Sequence, residues 1–163
     1  MKFKIGNGID VHGLALGEDL IIGGIKINSE YGIKGHSDGD LVMHALVDAI
    51  LGALSIGDIG QYFPSNEEKW KNVNSEVFLN FAIDKMKDLG YNINNIDITI
   101  MLQSPSIQAY KEKIRLNLSS ICGIEFNQIS LKATTTDRLG FLGRKEGIAT
   151  FITILLTKDE SKN

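Results

Sequence analysis

The three histidines of this chain, His12, His36 and His44, all lie in its first 44 residues, and each has carboxylates close by in sequence. Asp10 and His12 form an Asp-x-His pair in a segment that alternates like a strand, where residues two apart point to one face. His44 falls in the helical pattern that follows. Two imidazoles and a carboxylate suit zinc, and three protein ligands leave a fourth position open to water or substrate, as in catalytic sites. Three unrelated polar residues would leave the same trace. Asp48, one turn beyond His44, is placed either to accept the second ring N–H of a ligating histidine or simply to meet solvent.

A second polar constellation, Gly35-His36-Ser37-Asp38-Gly39-Asp40, stands where that helix begins. Ser37 or Asp38 reads as its N-cap. Unpaired N–H groups at a helix start can hold phosphate, and His36 beside them can donate to a phosphate oxygen. Carboxylates in the same turn favour a metal-bound phosphate over a bare one. A third constellation, Ala133-Thr134-Thr135-Thr136-Asp137, ends a strand. Its threonines fit plain β-propensity. They equally fit a rim of hydroxyls and amides that orients phosphates, with Asp137 on a hard cation such as Mg²⁺. The segment Gly143-Arg144-Lys145-Glu146-Gly147 reads as a charged turn.

The elements that must carry these groups follow from periodicity. Residues 3–12 alternate, with Ile5, Ile9 and Val11 on one face and Gly6, Gly8, Asp10 and His12 on the other. The second face is small or polar, so it is expected to pack poorly as core and to suit a site. Two apolar bursts around Gly23-Gly24 read as a tight hairpin. A helix from Ser37 or Asp38 to about Ser55 turns Leu41, Val42, Ala45, Leu46, Ala49 and Ala53 inward, with Asp40, His44 and Asp48 along the opposite stripe. Residues 75–89 predict a second helix stopped by Gly90. Ile96, Ile98, Ile100 and Leu102 alternate as a strand. Pro105 is expected to open a third helix bearing Ile107, Tyr110, Ile114, Leu118 and Ile121. Residues 129–135 and 147–157 complete the strands. The last is apolar on both faces, which predicts a covered interior position. The order β-β-β-α-α-β-α-β-β predicts an α+β fold, one domain over residues 1–157 with a mixed sheet and three helices packed on one face. A polar tail follows at 158–163.

At 163 residues, with 43% hydrophobic and 23% charged side chains, the chain is long enough for one sizeable core. A net charge of −3 argues against nucleic acid as a partner. No apolar run has the length of a membrane span, and only Met1 and Lys2 precede the first strand pattern, so no targeting segment is expected. Cys122 is the single cysteine, which excludes an intrachain disulfide and suits a reducing cytoplasm. It is expected to be a small buried hydrophobe near a helix end.

Taken in order, these motifs resemble the 2-C-methyl-D-erythritol 2,4-cyclodiphosphate synthase family of the non-mevalonate isoprenoid pathway. The matching residues are Gly-Ile-Asp10-Val-His12, His36-Ser37-Asp38-Gly-Asp40 with His44 and Asp48, and Gly57-Asp58-Ile59-Gly60 with Phe63-Pro64. Lys132-Ala-Thr-Thr-Thr-Asp137, Leu139-Gly-Phe-Leu-Gly-Arg144 and Glu146-Gly-Ile-Ala complete the set, which spans essentially the whole chain.

The resemblance implies a lyase that converts 4-diphosphocytidyl-2-C-methyl-D-erythritol 2-phosphate to the cyclic diphosphate and CMP. It implies zinc on Asp10, His12 and His44, and Mg²⁺ or Mn²⁺ at Asp137. His36 and Thr135 would stabilise the transition state. Substrate would meet Ser37, then Asp58, Ile59, Gly60 and Phe63 on the methylerythritol side. Leu102, Gln103, Ser104, Pro105, Ser106, Ile107, Gln108, Ala133 and Thr134 would form the cytidine side, with Thr136, Phe141 and Arg144 adding contacts. The family assembles as a homotrimer with sites between subunits, and Arg144 and Glu146 would surround an axial cavity suited to an isoprenoid diphosphate. Three positions depart from the family pattern: Asp137 replaces a usual glutamate, Ser106 a common lysine and Ser65 a frequent aspartate. Two other readings use the same residues: a trimeric metal- and isoprenoid-diphosphate-binding regulator without turnover, and a zinc hydrolase of small phosphates or esters.

Overall fold

In the computed structural model, residues 1–34, 38–71 and 73–158 are described. A long first strand, β1 (Lys2–Leu16), pairs antiparallel with the last strand, β7 (Gly147–Lys158), along nearly its whole length. β7 pairs on its other edge with β5 (Asn92–Met101), and β5 runs parallel to β6 (Ile129–Thr134). With β4 (Tyr31–Ile33) beside β1, the mixed sheet has the order β4-β1-β7-β5-β6. Strands β2 (Leu20–Ile22) and β3 (Ile25–Ile27) form a separate hairpin. Its turn residues Gly23 and Gly24 have φ of 56° and 78°, a conformation that glycine adopts without strain.

Three longer helices support this sheet. Helix α1 (Leu41–Leu54) lies against β1 and β7, α3 (Ser75–Asp88) packs on α1, and α4 (Lys111–Cys122) makes the crossover between parallel β5 and β6. Single turns α2 (Ile59–Tyr62) and α5 (Gly140–Gly143) add to them. Almost every side chain of α1 is buried, because sheet and α3 enclose it from two sides. Cys122 ends α4 in the core, where burial pushes its thiol up to about 12 and keeps it unreactive.

Several expectations need correction. The glycine face of β1 is not a poor core face; it is where α1 comes closest. A Cβ on Gly8 would lie 1.9 Å from the Ala45 carbonyl oxygen, and one on Gly6 1.9 Å from that of Ala49. The opposite face is the open one: Ile5, Ile9 and Val11 are exposed. β7 does sit inside the sheet, with one face fully buried; on the other, Ala149 is buried but Phe151 is exposed. α1 starts at Leu41 with Asp40 as N-cap, later than Ser37 or Asp38. Pro105 does not open a helix: a 3₁₀ turn at Gln108–Tyr110 leads into α4 at Lys111. The short β4 is an additional strand.

Asp40 shows why the cap falls where it does. Its buried carboxylate accepts the N–H groups of Val42 and Met43 at 3.2 Å and, across the hairpin turn, those of Gly23 at 2.9 Å and Gly24 at 2.5 Å. One side chain thus ties the start of α1 to β2–β3. Burial pushes its pKa up to about 6 against the pull of these amides, and the charge of Asp38 adds to the rise.

Two predictions follow from this packing. Gly8→Ala should destabilise the fold by about 3 kcal/mol or more, because the clash is with helix backbone rather than a side chain that can swing away; urea unfolding measures it. For Asp40, the folded state holds a proton that the unfolded chain releases near 3.8, so its contribution is present below that pH and lost as pH rises to about 6. Relative to Asp40→Asn, the wild type should therefore lose on the order of 3 kcal/mol between pH 4 and 7. Parallel urea titrations across that range check the slope and its sign.

Candidate metal centre and substrate clefts

Pairing of β1 with β7 fixes Asp10 and His12 on the helix side of the sheet, and α1 brings His44 over them. His12 Nε2 lies 2.8 Å and His44 Nδ1 3.2 Å from the same Asp10 oxygen, and the two imidazole rings are 5.7 Å apart. All three ligand atoms fall within 4.8 Å of one another, the one such cluster of His, Cys, Asp or Glu among the described residues. A tetrahedral ion with bonds of ~2.0–2.1 Å sets its ligands ~3.3 Å apart, so this donor set fits zinc. Burial raises the Asp10 pKa, but hydrogen bonds from His12 and His44 and their charges outweigh it and leave it at about 2. The carboxylate is therefore ionised and ready to ligate at any working pH.

The trio opens onto a cleft of about 410 Å³. Ile59, Gly60 and Phe63 line it, as the family resemblance implies, together with Lys34, Ser65, Trp70, Lys71 and Phe78. Phe63 stacks 4.5 Å from Phe78 and edge-on to Trp70 at 4.9 Å, so one wall is aromatic. Asp58 is not part of the lining; it caps α2 by accepting Gln61 N–H at 3.0 Å. Asp48 likewise serves backbone, accepting Ile59 N–H at 2.8 Å, and the partner at His44 Nε2 is the Ser75 hydroxyl, 2.9 Å away. Asp48, open between that role and solvent, thus takes a backbone partner, and the hydroxyl at His44 Nε2 comes from a different helix. His36 and Ser37 lie outside the described residues.

The late motifs gather elsewhere. Leu102, Gln103, Pro105, Ser106, Ile107 and Gln108 meet Ala133, Thr134 and Thr135 around a second cleft of about 250 Å³, with Lys111 added from α4. Ser104 faces a neighbouring groove with Pro105 and Lys145. Thr136, Asp137 and Phe141 line a shallow apolar depression with Leu139 and Leu142. Asp137 is exposed at φ 51°, its amide donating to Thr135 Oγ1 at 3.3 Å. Arg144 is exposed and pairs with Glu146 at 2.8 Å.

The two clefts share no residue. In register, Asp10 pairs with Thr150, Thr150 with Ile100 and Ile100 with Ala133. The metal trio and the threonine strand thus occupy one end of the sheet, three strand intervals or ~14 Å apart.

Against this geometry, the sequence pattern of the YgbB family matches residues 3–157. The chain belongs to that family. Its YgbB relatives include the 2-C-methyl-D-erythritol 2,4-cyclodiphosphate synthase of Prochlorococcus marinus, 48% identical over 159 residues and 96% of each chain. That of Francisella philomiragia is also 48% identical, over 97% of this chain and 100% of its own. Among solved structures, the Plasmodium falciparum IspF complex with CDP superposes with a TM-score of 0.86 at 38% identity, covering 96% of this chain and 97% of that one. The bifunctional IspDF of Campylobacter jejuni gives 0.94 at 40% identity over 99% of this chain, which spans 44% of that longer protein.

Lys34, Lys71, Trp70, Phe78 and Ser75 are the site residues that sequence reasoning missed. Phe78 and Ser75 fall within the second helical pattern, and neither lysine belongs to any of the motifs. Trp70, the only tryptophan of the chain, was the one signal available.

Proposed function

We propose that this chain is a cyclodiphosphate synthase, converting 4-diphosphocytidyl-2-C-methyl-D-erythritol 2-phosphate to 2-C-methyl-D-erythritol 2,4-cyclodiphosphate and CMP. The observation that carries the reading is the Asp10–His12–His44 cluster at the mouth of a cleft with an aromatic wall and two lysines. In the reaction a 2-phosphate oxygen bonds to the β-phosphorus as that phosphorus parts from the bridging oxygen, whose electron pair leaves with CMP. The nucleophile is already an anion, so no serine, cysteine or strong base is required; alignment and charge neutralisation are.

Asp10, His12 and His44 would hold zinc, which when bound supplies Lewis-acid polarisation of a phosphoryl oxygen. Lys34 and Lys71 in the same lining bring positive charge toward the approaching phosphates. Ile59, Phe63, Trp70 and Phe78 exclude water and offer an apolar surface to the methylerythritol carbons. The second cleft, walled by Leu102, Gln103, Ile107, Ala133, Thr134 and Thr135, suits cytidine.

A single chain keeps these halves ~14 Å apart along one sheet. We therefore infer a homotrimer in which the metal side of one subunit faces the nucleotide side of the next. Thr135 and Asp137 would reach the phosphates from that neighbour, Asp137 helping to hold Mg²⁺ or Mn²⁺, and His36 and Ser37 would complete the metal side. Arg144 and an isoprenoid diphosphate on the threefold axis belong to the same proposal. So do a single domain over residues 1–157 and a cytoplasmic location, which the lone buried Cys122 suits. No helix among the described residues is long and apolar enough to cross a membrane. The regulator reading is not favoured, since a pure binding module has no use for an open metal position.

Incubation with the CDP-methylerythritol phosphate should yield CMP and the cyclic product in equal amounts. His44→Ala should lose both turnover and stoichiometric zinc, as metal analysis reads directly; release of inorganic phosphate instead of cyclic product would favour the hydrolase. For the shared site, His12→Ala and Thr135→Ala chains, each inactive alone, should recover activity when co-assembled. No recovery in mixed oligomers confirmed by mass spectrometry would sink the intersubunit arrangement.

A further inference from the structure

Ser75 opens α3 with its side chain fully buried, between the metal trio and a carboxylate from another part of the chain. Its Oγ lies 2.9 Å from His44 Nε2, and its hydroxyl donates to Asp38 Oδ1. The other Asp38 oxygen accepts the backbone N–H of Ser75 at 2.9 Å. Asp38 thus grips the first residue of α3 through both of its oxygens. That leaves the serine hydroxyl no choice of direction.

A hydroxyl has one proton, and a carboxylate at neutral pH can only accept. With the Ser75 proton committed to Asp38, Ser75 Oγ meets His44 as an acceptor, so Nε2 carries the ring hydrogen. Nδ1, which faces Asp10 at 3.2 Å, is then the nitrogen whose lone pair a bound ion would take. We propose that Asp38 and Ser75 are positioning residues that fix the tautomer and orientation of His44, presenting Nδ1 to the zinc. Neither touches substrate. The inference rests on the zinc reading above and adds the source of the histidine's competence. A purely structural role, capping α3, would use the same Asp38–Ser75 contacts but would not require the hydroxyl to reach the imidazole.

The test separates these. Zinc affinity is measured on metal-free protein by competition with a chromogenic chelator, alongside thermal unfolding. Ser75→Ala should bind zinc about 10- to 100-fold more weakly, and Ser75→Thr, which keeps the hydroxyl, should retain most of the affinity. In parallel, ¹⁵N NMR of the wild type should report a proton on His44 Nε2 both with and without zinc. That measurement needs no variant to fold. Wild-type zinc affinity in Ser75→Ala with only a lowered unfolding temperature would overturn the positioning role, as would a His44 Nε2 without a proton in the wild type. A wild-type chain that binds no zinc would overturn the metal reading and this inference together.

Discussion

The close contact of α1 with β1 is the constraint on which the site depends. Gly6 and Gly8 remove the side chains that would otherwise hold the helix away from the sheet, and the carbonyl oxygens of Ala45 and Ala49 lie 1.9 Å from where their Cβ atoms would be. The alanines of α1 complete the match from the other side. Because β1 alternates, the same face that presents two glycines presents Asp10 and His12 next along the strand. Because the helix is drawn so near, His44 arrives within hydrogen-bonding distance of Asp10. Packing and chemistry are consecutive residues of one strand face.

Carboxylates then hold the surroundings in place. Asp38, Asp40 and Asp48 crowd the region where phosphates would bind, which looks electrostatically wrong for an anionic substrate. The structure resolves the conflict by giving each of them backbone amides: Asp38 takes Ser75, Asp40 takes Gly23, Gly24, Val42 and Met43, and Asp48 takes Ile59. Their charge is spent on N–H dipoles of helix starts and a hairpin turn. Each clamp joins separate segments of the chain, so the region is tied together without presenting three bare anions to a ligand.

This division explains what was legible in the sequence. Asp10, His12 and His44 were, since strand period 2 and helix placement bring them together without knowledge of the rest. So were the hairpin at Gly23-Gly24 and the stop at Gly90, where positive φ is the signal. The direction of the β1 faces was not, because alternation says which residues share a side but not which side is covered; Ile5, Ile9 and Val11 would ordinarily be given the core. The partner of His44 was also out of reach. Asp48 lies at helical spacing and Ser75 lies 31 residues away, brought in only by packing of α3 on α1. Pro105 carried the residue type of a helix start but lies in the loop that shapes the second cleft.

One feature of the single chain remains unbalanced, and the proposed assembly accounts for it. The outer face of β1 and β7 exposes Phe3, Ile5, Ile9, Val11 and Phe151, an apolar stripe broken only by the Asn7–Thr153 pair, with Ile9 directly across from Phe151. Central strands of a sheet are seldom left so bare in a monomer, since an apolar patch of this kind costs free energy in water and marks an interaction surface. Burying it between subunits would supply the driving force for association. The same event would bring a second chain's threonine strand toward the first chain's metal trio, closing the ~14 Å gap that the sheet itself cannot. In that assembly, exposed stripe and divided site would have one explanation: the face left open by the glycine packing of α1 would be the face whose burial completes the site.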